Sequence, residues 1–203
     1  MPIKLNGATS GSIELDVPAT VSGGDVNLTV PGAGTLDRLE RAGNILQVKQ
    51  THLTTQFSVA YTAGTYIDIT GLNVSITPSS TANKILVFAR VQFEINNSSS
   101  HEVVFGLTRN ASFVGNTSTS PGDRRVGMAG IATGYWADDA SSTQDSTAFN
   151  YLDSPNSTSS LTYEVRFVAR DGSTMYVNRS AIDTNSLARE YLTSSITVME
   201  VAG

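Results

Sequence analysis

The chain has 203 residues, of which 39% are hydrophobic and 15% are charged, with a formal net charge of −5 and no cysteine. This composition excludes a disordered chain, disulfides and cysteine chemistry, and it argues against a nucleic-acid partner, which needs clustered Lys and Arg. The N-terminus has no signal-peptide pattern, and no apolar run approaches the roughly 20 residues of a membrane helix. We therefore expect neither a secreted chain nor a membrane-inserted one.

The first 34 residues contain a short repeat, in which SIELDVPA is followed by DVNLTVPG. Both copies alternate apolar and polar residues, which is the period of a half-buried strand, and both end at a proline. The intervening SGGD is typical of a turn, so we expect a hairpin arm over residues 1–34 that packs on a larger body. Its candidate anchor residues are Ile13, Leu15, Val17, Val26, Leu28 and Val30.

Residues 35–44 have the pattern of a short helical connector. Thr35 is a suitable N-cap, Leu36 and Leu39 share a helix face, and Gly43 suits the C-terminal stop. At two turns this helix is too short to be stable alone.

From residue 45 to residue 203 the pattern is that of short strands separated by turns. In KILVFARVQFEI the alternate residues share an apolar inward face, and HEVVFGLTRN and LTYEVRFVAR repeat this design. The other face of KILVFARVQFEI begins with Leu86 and Phe88 and ends with polar residues, so we expect the apolar end to be covered and the polar end to meet water. The pattern as a whole predicts an all-β fold, an antiparallel jelly-roll β-sandwich preceded by the hairpin arm and the two-turn helix.

The chain ends in SSITVMEVAG, a strand with apolar residues on both faces. Ile196 and Val198 point one way together with Leu192, and Met199 and Val201 point the other way. A strand with two apolar faces is expected at the centre of a sheet, and a sister subunit would cover its second face. The candidate residues of a trimer interface are Ile196, Val198, Met199, Val201, Leu86 and Phe88.

The chain carries little material for catalysis or for a cofactor. No nucleophile motif such as G-x-S-x-G accompanies its two histidines, and we interpret His101 as a structural residue at the rim of a sheet. Asp138 and Asp139 are adjacent, but the full calcium-loop pattern is absent, so we expect no metal and no other cofactor. The chain is not expected to be an enzyme.

One loop, GYWADD, contains residues suited to ligand binding. An exposed Tyr–Trp pair stacks on sugar rings or anchors protein contacts, and the alternative is that these rings are buried in the core. The candidate ligand loop consists of Tyr135, Trp136, Asp138 and Asp139.

The order and spacing of five segments resemble a known family: TPSSTANKILVFARVQFEI, VVFGLTRN, DSPNSTSSLTYEVRF, YVNRSAIDT and SSITVMEVAG. They resemble the C-terminal domain of bacteriophage virion structural proteins of the head-decoration and tail-fibre type, and the resemblance covers residues 45–203. The leading LNGATSGSIELDVPA also resembles the N-terminal segments of such proteins. The resemblance implies a jelly-roll head related in shape to the tumour-necrosis-factor-like trimers, with the first and last strands near a threefold axis.

The resemblance implies a place at the virion surface after synthesis in the host cytoplasm. Tail fibres usually carry long repetitive stalks, whereas only a hairpin and a connector precede the head here. We therefore expect a homotrimeric capsid decoration (cement) protein or short head fibre, docked through its N-terminal arm on major capsid or tail proteins. The alternatives are a short tail fibre that recognises a host surface glycan or protein, and an enzyme, which would need a carboxylate pair or a metal.

Overall fold

The computed structural model describes residues 3–6, 12–15, 42–95, 101–116, 122–133 and 143–203. The chain divides into two compact units, Met1–Asp37 and Arg38–Gly203. The described residues contain strands and turns but no helix. In chain order the strands are β1 (Ile3–Asn6), β2 (Ser12–Leu15), β3 (Ile45–Leu53), β4 (Phe57–Tyr61), β5 (Ile67–Ile76), β6 (Lys84–Ile95), β7 (His101–Arg109), β8 (Ser112–Val114), β9 (Ala129–Thr133), β10 (Asp145–Asp153), β11 (Leu161–Ala169), β12 (Ser173–Val177) and β13 (Ser194–Val201).

The first unit contains one antiparallel pair, in which β1 lies beside β2 from Ile3 opposite Leu15 to Asn6 opposite Ser12. The first copy of the repeat therefore pairs with the residues that precede it. The hairpin expected between the two copies lies outside the described residues, as do Val17, Val26, Leu28, Val30 and most of the predicted connector.

The second unit consists of two antiparallel sheets that pack face to face. The six-stranded sheet has the order β3-β13-β6-β12-β4, and β10 pairs with the other edge of β6. The five-stranded sheet has the order β5-β11-β7-β8, and β9 also pairs with β7. This arrangement confirms the prediction of an all-β, antiparallel sandwich.

The core lies between the two sheets and is formed by the predicted inward faces of β6, β7 and β11. The alternate residues of β6 from Ile85 to Ile95 are at most 3% exposed. Aromatic rings join the sheets, since the ring centroids of Phe93 and Phe105 are 4.9 Å apart and those of Tyr61 and Phe167 are 5.3 Å apart. Edge-on and tilted pairs of this kind stabilise the fold beyond what the burial of their apolar area contributes.

The expectation for the two ends of β6 was wrong, because the polar end is the covered one. Phe88, near the apolar end, is 42% exposed, whereas Glu94, at the polar end, is fully buried. The segment that follows β12 folds back over the polar end, and the amide of Ala181 donates a hydrogen bond of 2.6 Å to the Glu94 carboxylate. Gln92 is buried there as well, and its side chain donates to the Ser146 hydroxyl.

β13 lies between β3 and β6, as expected for a central strand. Ile196 and Val198 point into the core between the sheets and are fully buried. They are therefore not on a surface that another subunit can reach. Leu192 lies before the strand and is 38% exposed.

Candidate functional site

The outer face of the six-stranded sheet is the surface that turns away from the second sheet. Directly opposed residues in an antiparallel pair project to the same face, so the register assigns each side chain to one face. On β3, β13, β6 and β10 the outward positions are occupied by Ile45, Val48, Gln50, His52, Ser195, Thr197, Met199, Val201, Lys84, Leu86, Phe88, Arg90, Gln92, Ser146, Ala148, Asn150 and Leu152. We call this surface the outer face.

An apolar row crosses the outer face from one edge of the sheet to the other. Val48 lies opposite Met199, Met199 opposite Leu86, and Leu86 opposite Leu152. Val48 is 52% exposed and Leu152 is 46% exposed, while Met199 and Leu86 are half-buried by their neighbours. Four strands that lie far apart in the sequence thus bring four apolar side chains into one line. We call these four residues the apolar row.

A shallow hollow lies beside the apolar row on the same face. It encloses about 300 Å³ around Phe88 and Arg90, and its lining includes the smaller outward side chains of Ala148, Asn150, Ser195 and Thr197. The Arg90 guanidinium is held at the rim, where it donates to the Thr193 carbonyl at 3.1 Å. A side chain that projects from another molecule can enter such a depression.

The outer face is poor in charge, and the charge that it carries is positive. Lys84 and Arg90 are its two cations, and among the described residues of this face no exposed carboxylate accompanies them. Glu94 also occupies an outward position, but it is buried beneath the Ala181 amide. Depletion of charge around apolar side chains is typical of the centre of a protein–protein interface.

A buried carboxylate fixes the end of β13 and, with it, one end of the outer face. Glu200 accepts hydrogen bonds from the Gln47 amide at 2.5 Å, the Asn83 amide at 2.6 Å and the Ser79 backbone amide at 2.6 Å. Burial works to raise the pKa of Glu200, but these hydrogen bonds outweigh it and hold the pKa below the ordinary value. The Gly203 amide donates to Asn83, so the last residues of the chain are held in place.

A second buried carboxylate joins β10 to the other sheet. Asp153 accepts hydrogen bonds from the Tyr163 hydroxyl at 2.6 Å and from the Arg109 guanidinium at 2.5 Å. Burial raises the pKa of the Tyr163 hydroxyl, and Asp153 raises it further. Because this carboxylate already has two strong partners and lies in the packed core, we interpret the cluster as a link between the sheets.

A second depression, which encloses about 490 Å³, lies in the loop between β12 and β13. Polar residues from Asp183 to Tyr191 line it, and the Tyr191 ring is 63% exposed. The loop is organised by its own contacts, since Arg179 forms an ion pair with Asp183 at 3.1 Å and the Tyr191 hydroxyl donates to the same carboxylate. Leu187 projects fully into solvent from this loop.

The structure covers the other candidates from the sequence only in part. Tyr135, Trp136, Asp138 and Asp139 of the ligand loop lie outside the described residues, and Ile13 and Leu15 are described only through their backbone. Of the predicted interface residues, Leu86, Phe88, Met199 and Val201 come together on the outer face. Val48 and Leu152 were missed, although each occupies an outward position in a predicted strand.

Two further features concern metals and membranes. Within the part of the chain that the structure describes, no group of three or more His, Cys, Asp or Glu side chains is arranged to hold a metal ion. Among the same residues, no helix has the length and apolar character to cross a membrane.

Comparisons with known proteins found likeness among solved structures alone. No protein-family model and no curated protein matches the chain. A structure of the infectious bursal disease virus VP2 subviral particle is similar to 85% of this chain, with 11% identity and a TM-score of 0.36. Structures of the Gt and Gx strains of the same virus are similar to 92% and 97% of it, with identities of 16% and 13% and TM-scores of 0.34 and 0.35. The chain spans about half the length of these matches, at 46%, 45% and 48%.

Proposed function

We propose that this chain is a non-enzymatic structural protein of a bacteriophage virion, a homotrimeric capsid decoration (cement) protein or short head fibre. It docks on major capsid or tail proteins through residues 1–34 and lies at the virion surface. The proposal rests on the order of strands in the second unit, together with the sequence segments that resemble phage virion proteins.

The strand order is the observation that carries the proposal. From β5 onward the chain alternates between the sheets: β5 lies in the five-stranded sheet, β6 in the other, β7 to β9 in the first again, then β10, β11 and β12 in turn. This alternation places β3-β13-β6-β10 opposite β5-β11-β7-β9, which is the arrangement of a double-sheet jelly roll. The jelly roll is a fold of viral capsid and lectin domains.

The physical task of such a protein is to bridge neighbouring subunits of a shell. Apolar area buried across a seam contributes about 25 cal/mol per Å². A bridge repeated at every equivalent seam adds many such contacts, and several attachment points on one oligomer raise its avidity without any new kind of contact. A rigid β-sandwich suits this task, since it transmits load between its attachment points without internal rearrangement.

Immunogold electron microscopy on intact virions tests the proposal. Antibody raised against the purified chain is applied to particles of the virus that encodes it. Label spread over the capsid supports a decoration protein or head fibre. The absence of label from every particle contradicts a virion role.

A short tail fibre that recognises a host surface glycan or protein is the second candidate function. The depression in the loop between β12 and β13 favours it, because an exposed aromatic ring among polar side chains is suited to a sugar ring. In this case the gold label is confined to the tail. Substitution of Tyr191 by Ala then weakens adsorption of the virus to its host, while the same change at Phe113, an exposed ring on the five-stranded sheet, serves as the control.

A further inference from the structure

We propose that the hollow beside the apolar row binds a carboxylate that a partner protein presents next to an apolar side chain. The inference goes beyond the proposed function, which assigns docking to residues 1–34 and gives the outer face no ligand. It rests on the side chains that line the hollow, on the charge of the outer face and on the apolar row.

The register of three strands explains why a hollow forms around Arg90. Arg90 lies opposite Ala148 of β10 on one side and opposite Ser195 of β13 on the other. These two small side chains leave space above the sheet, and the longer side chains of Phe88 and Arg90 bound a depression of about 300 Å³. Because backbone hydrogen bonds fix the three strands, the hollow is formed before a ligand binds.

The polar groups that reach the hollow are suited to an oxyanion. One guanidinium nitrogen of Arg90 donates to the Thr193 carbonyl at 3.1 Å, which orients the guanidinium at the rim. The Gln50 amide donates to the Thr197 hydroxyl at 2.7 Å, which leaves the proton of that hydroxyl to be donated to a ligand. Ser195 adds a second hydroxyl to the lining. Guanidinium and hydroxyl groups bind carboxylates through charge-assisted hydrogen bonds.

The charge of the outer face disfavours a cationic ligand and favours an anionic one. Lys84 and Arg90 are its cations, and among the described residues of the face no exposed carboxylate neutralises them. A carboxylate from another molecule therefore supplies an attraction that this face lacks. Two cations are too few for a nucleic acid or an anionic membrane, both of which attract clusters of basic residues.

The apolar row indicates that the carboxylate belongs to a protein surface. The row passes through Leu86, the next outward residue of β6 after Phe88, and it ends at the exposed side chains of Val48 and Leu152. A small acid seated in the hollow would leave this row in water, whereas a contiguous apolar patch is typical of an interaction site.

The size of the outer face agrees with a weak protein contact. Four strands about 4.8 Å apart, each about eight residues long at about 3.3 Å per residue, cover about 500 Å² in projection. A standard interface buries about 800 Å² on each partner, and transient contacts bury less. The outer face therefore fits a transient partner of matching chemistry, apolar with a carboxylate at its margin.

The ion pairs within this chain favour a different protein as the partner. Several half-exposed carboxylates of the described second unit already have a cationic partner: Asp68 pairs with Arg166 at 2.6 Å, Glu102 with Arg125 at 2.7 Å and Asp183 with Arg179 at 3.1 Å. Transfer of one of these carboxylates to Arg90 of a second copy would exchange one exposed ion pair for another, with little gain. A carboxylate of another protein is free of this exchange.

Titration of the full-length, isotope-labelled chain with two short peptides, followed by nuclear magnetic resonance, tests the proposal. The probes are acetyl-Leu-Glu-Leu-amide and acetyl-Leu-Gln-Leu-amide, which differ in the charge of one side chain. The glutamate peptide should shift the backbone amide signals of Ser195 and Thr197 and the Nε–H signal of Arg90 in a saturable way. The glutamine peptide should bind about fivefold more weakly, the upper value for an exposed ion pair.

Two variants alter the charge and the shape of the hollow separately. Arg90→Gln should weaken binding of the glutamate peptide about fivefold, to the level of the glutamine peptide. Ala148→Leu should abolish binding, because it fills the hollow without a change of charge. Arg124→Gln and Ala60→Leu are the matched controls, since they make the same changes at exposed positions outside the lining of the hollow. Both controls should leave binding unchanged, and far-ultraviolet circular dichroism should show that all four variants keep the fold.

Four results would overturn the carboxylate site. They are the absence of saturable shifts at millimolar peptide concentrations, equal binding of the two peptides, binding that Arg90→Gln and Ala148→Leu leave unchanged, and an equal loss of binding in the controls. Sedimentation velocity of the wild-type chain and Arg90→Gln then tests the source of the carboxylate. The same oligomeric state in both supports a different protein as the partner. A wild-type oligomer that dissociates on Arg90→Gln would assign the carboxylate to a second copy and overturn that part of the proposal.

Discussion

Asn178 connects several segments of the six-stranded sheet through one fully buried side chain. Its side-chain nitrogen donates to the backbone carbonyls of Leu53 at 2.8 Å and Thr55 at 3.0 Å. Its side-chain oxygen accepts from the Ser194 hydroxyl at 2.6 Å. Its φ is +62°, in the left-handed region that asparagine tolerates better than most residues. Asn178→Ala should therefore lower the free energy of unfolding by about 3 to 5 kcal/mol, since it strands buried polar groups. Urea unfolding measures this loss.

Asn156→Ala separates the backbone cost from the hydrogen-bond cost. Asn156 has a φ of +50° but is exposed. Its substitution should cost only the left-handed backbone preference, about 1 kcal/mol. Equal losses at positions 156 and 178 would show that the hydrogen bonds of Asn178 contribute nothing to stability.

Ala111 is a residue at which the sequence is not ideal for the turn that it forms. Asn110 and Ala111 join β7 to β8 in a two-residue hairpin loop, with φ values of +49° and +65°. This geometry favours Asn-Gly, because both residues lie in the left-handed region. Ala111→Gly should raise the free energy of unfolding by about 0.5 to 1 kcal/mol, measured in urea. Ala60→Gly, in an exposed position within β4, should lower the free energy of unfolding instead. Stabilisation by both changes would contradict the turn argument.

At the scale of the element, the end of β13 depends on the ionised form of Glu200. The folded pKa lies below the ordinary value of 4.5. The stabilisation is therefore complete above pH 4.5 and is lost as the pH falls below that value toward the folded pKa. The groups that bond this carboxylate all donate hydrogen bonds to it. Glu200→Gln replaces one acceptor oxygen by an NH2 group, which is itself a donor and cannot accept these hydrogen bonds. It should cost about 1 to 3 kcal/mol at pH 7, and the difference from wild type should shrink in acid.

Glu164 provides a control, because its pKa is shifted upward whereas that of Glu200 is shifted downward. Burial raises its pKa, and the nearby Asp68 raises it further. Its ionised form is therefore unfavourable at neutral pH, so Glu164→Gln should maintain or increase stability at pH 7. Urea unfolding between pH 3 and pH 7 measures both variants. Parallel curves for wild type and Glu200→Gln would show that Glu200 does not link stability to pH.

Strand periodicity predicts which residues of an element are buried by the other sheet, but not what covers its outer side. The inward faces of β6 and β11 follow from the two-residue period alone. The burial of Glu94 follows instead from the return of the segment after β12, about 87 positions later in the chain, which no local pattern encodes. Nor does a local pattern encode the bulge within β5, where Gly71 at φ +79° lets a single strand continue.

At the scale of the molecule, the outer face could be predicted only in part. Leu86 and Met199 stood out because their strands are apolar on both sides. Val48 and Leu152 join them only through the register of four strands, and register depends on long-range pairing rather than on local composition. The outer face is thus a property of the tertiary structure, although each of its residues occupies an ordinary outward position.

The division of the chain into Met1–Asp37 and Arg38–Gly203 leads to a prediction about the two units. If the first unit carries the docking, a Val26→Asp, Leu28→Asp double variant should lose binding to virus particles that lack the protein by more than tenfold, since each buried apolar side chain contributes about 1.5 to 3 kcal/mol. The thermal unfolding of the second unit should not change, because its core lies between its own sheets. Co-sedimentation with particles measures the binding, and Leu187→Asp in the second unit is the control. Binding that survives the double variant but is lost with Leu187→Asp would place the docking surface in the loop between β12 and β13, and it would contradict docking through the first unit.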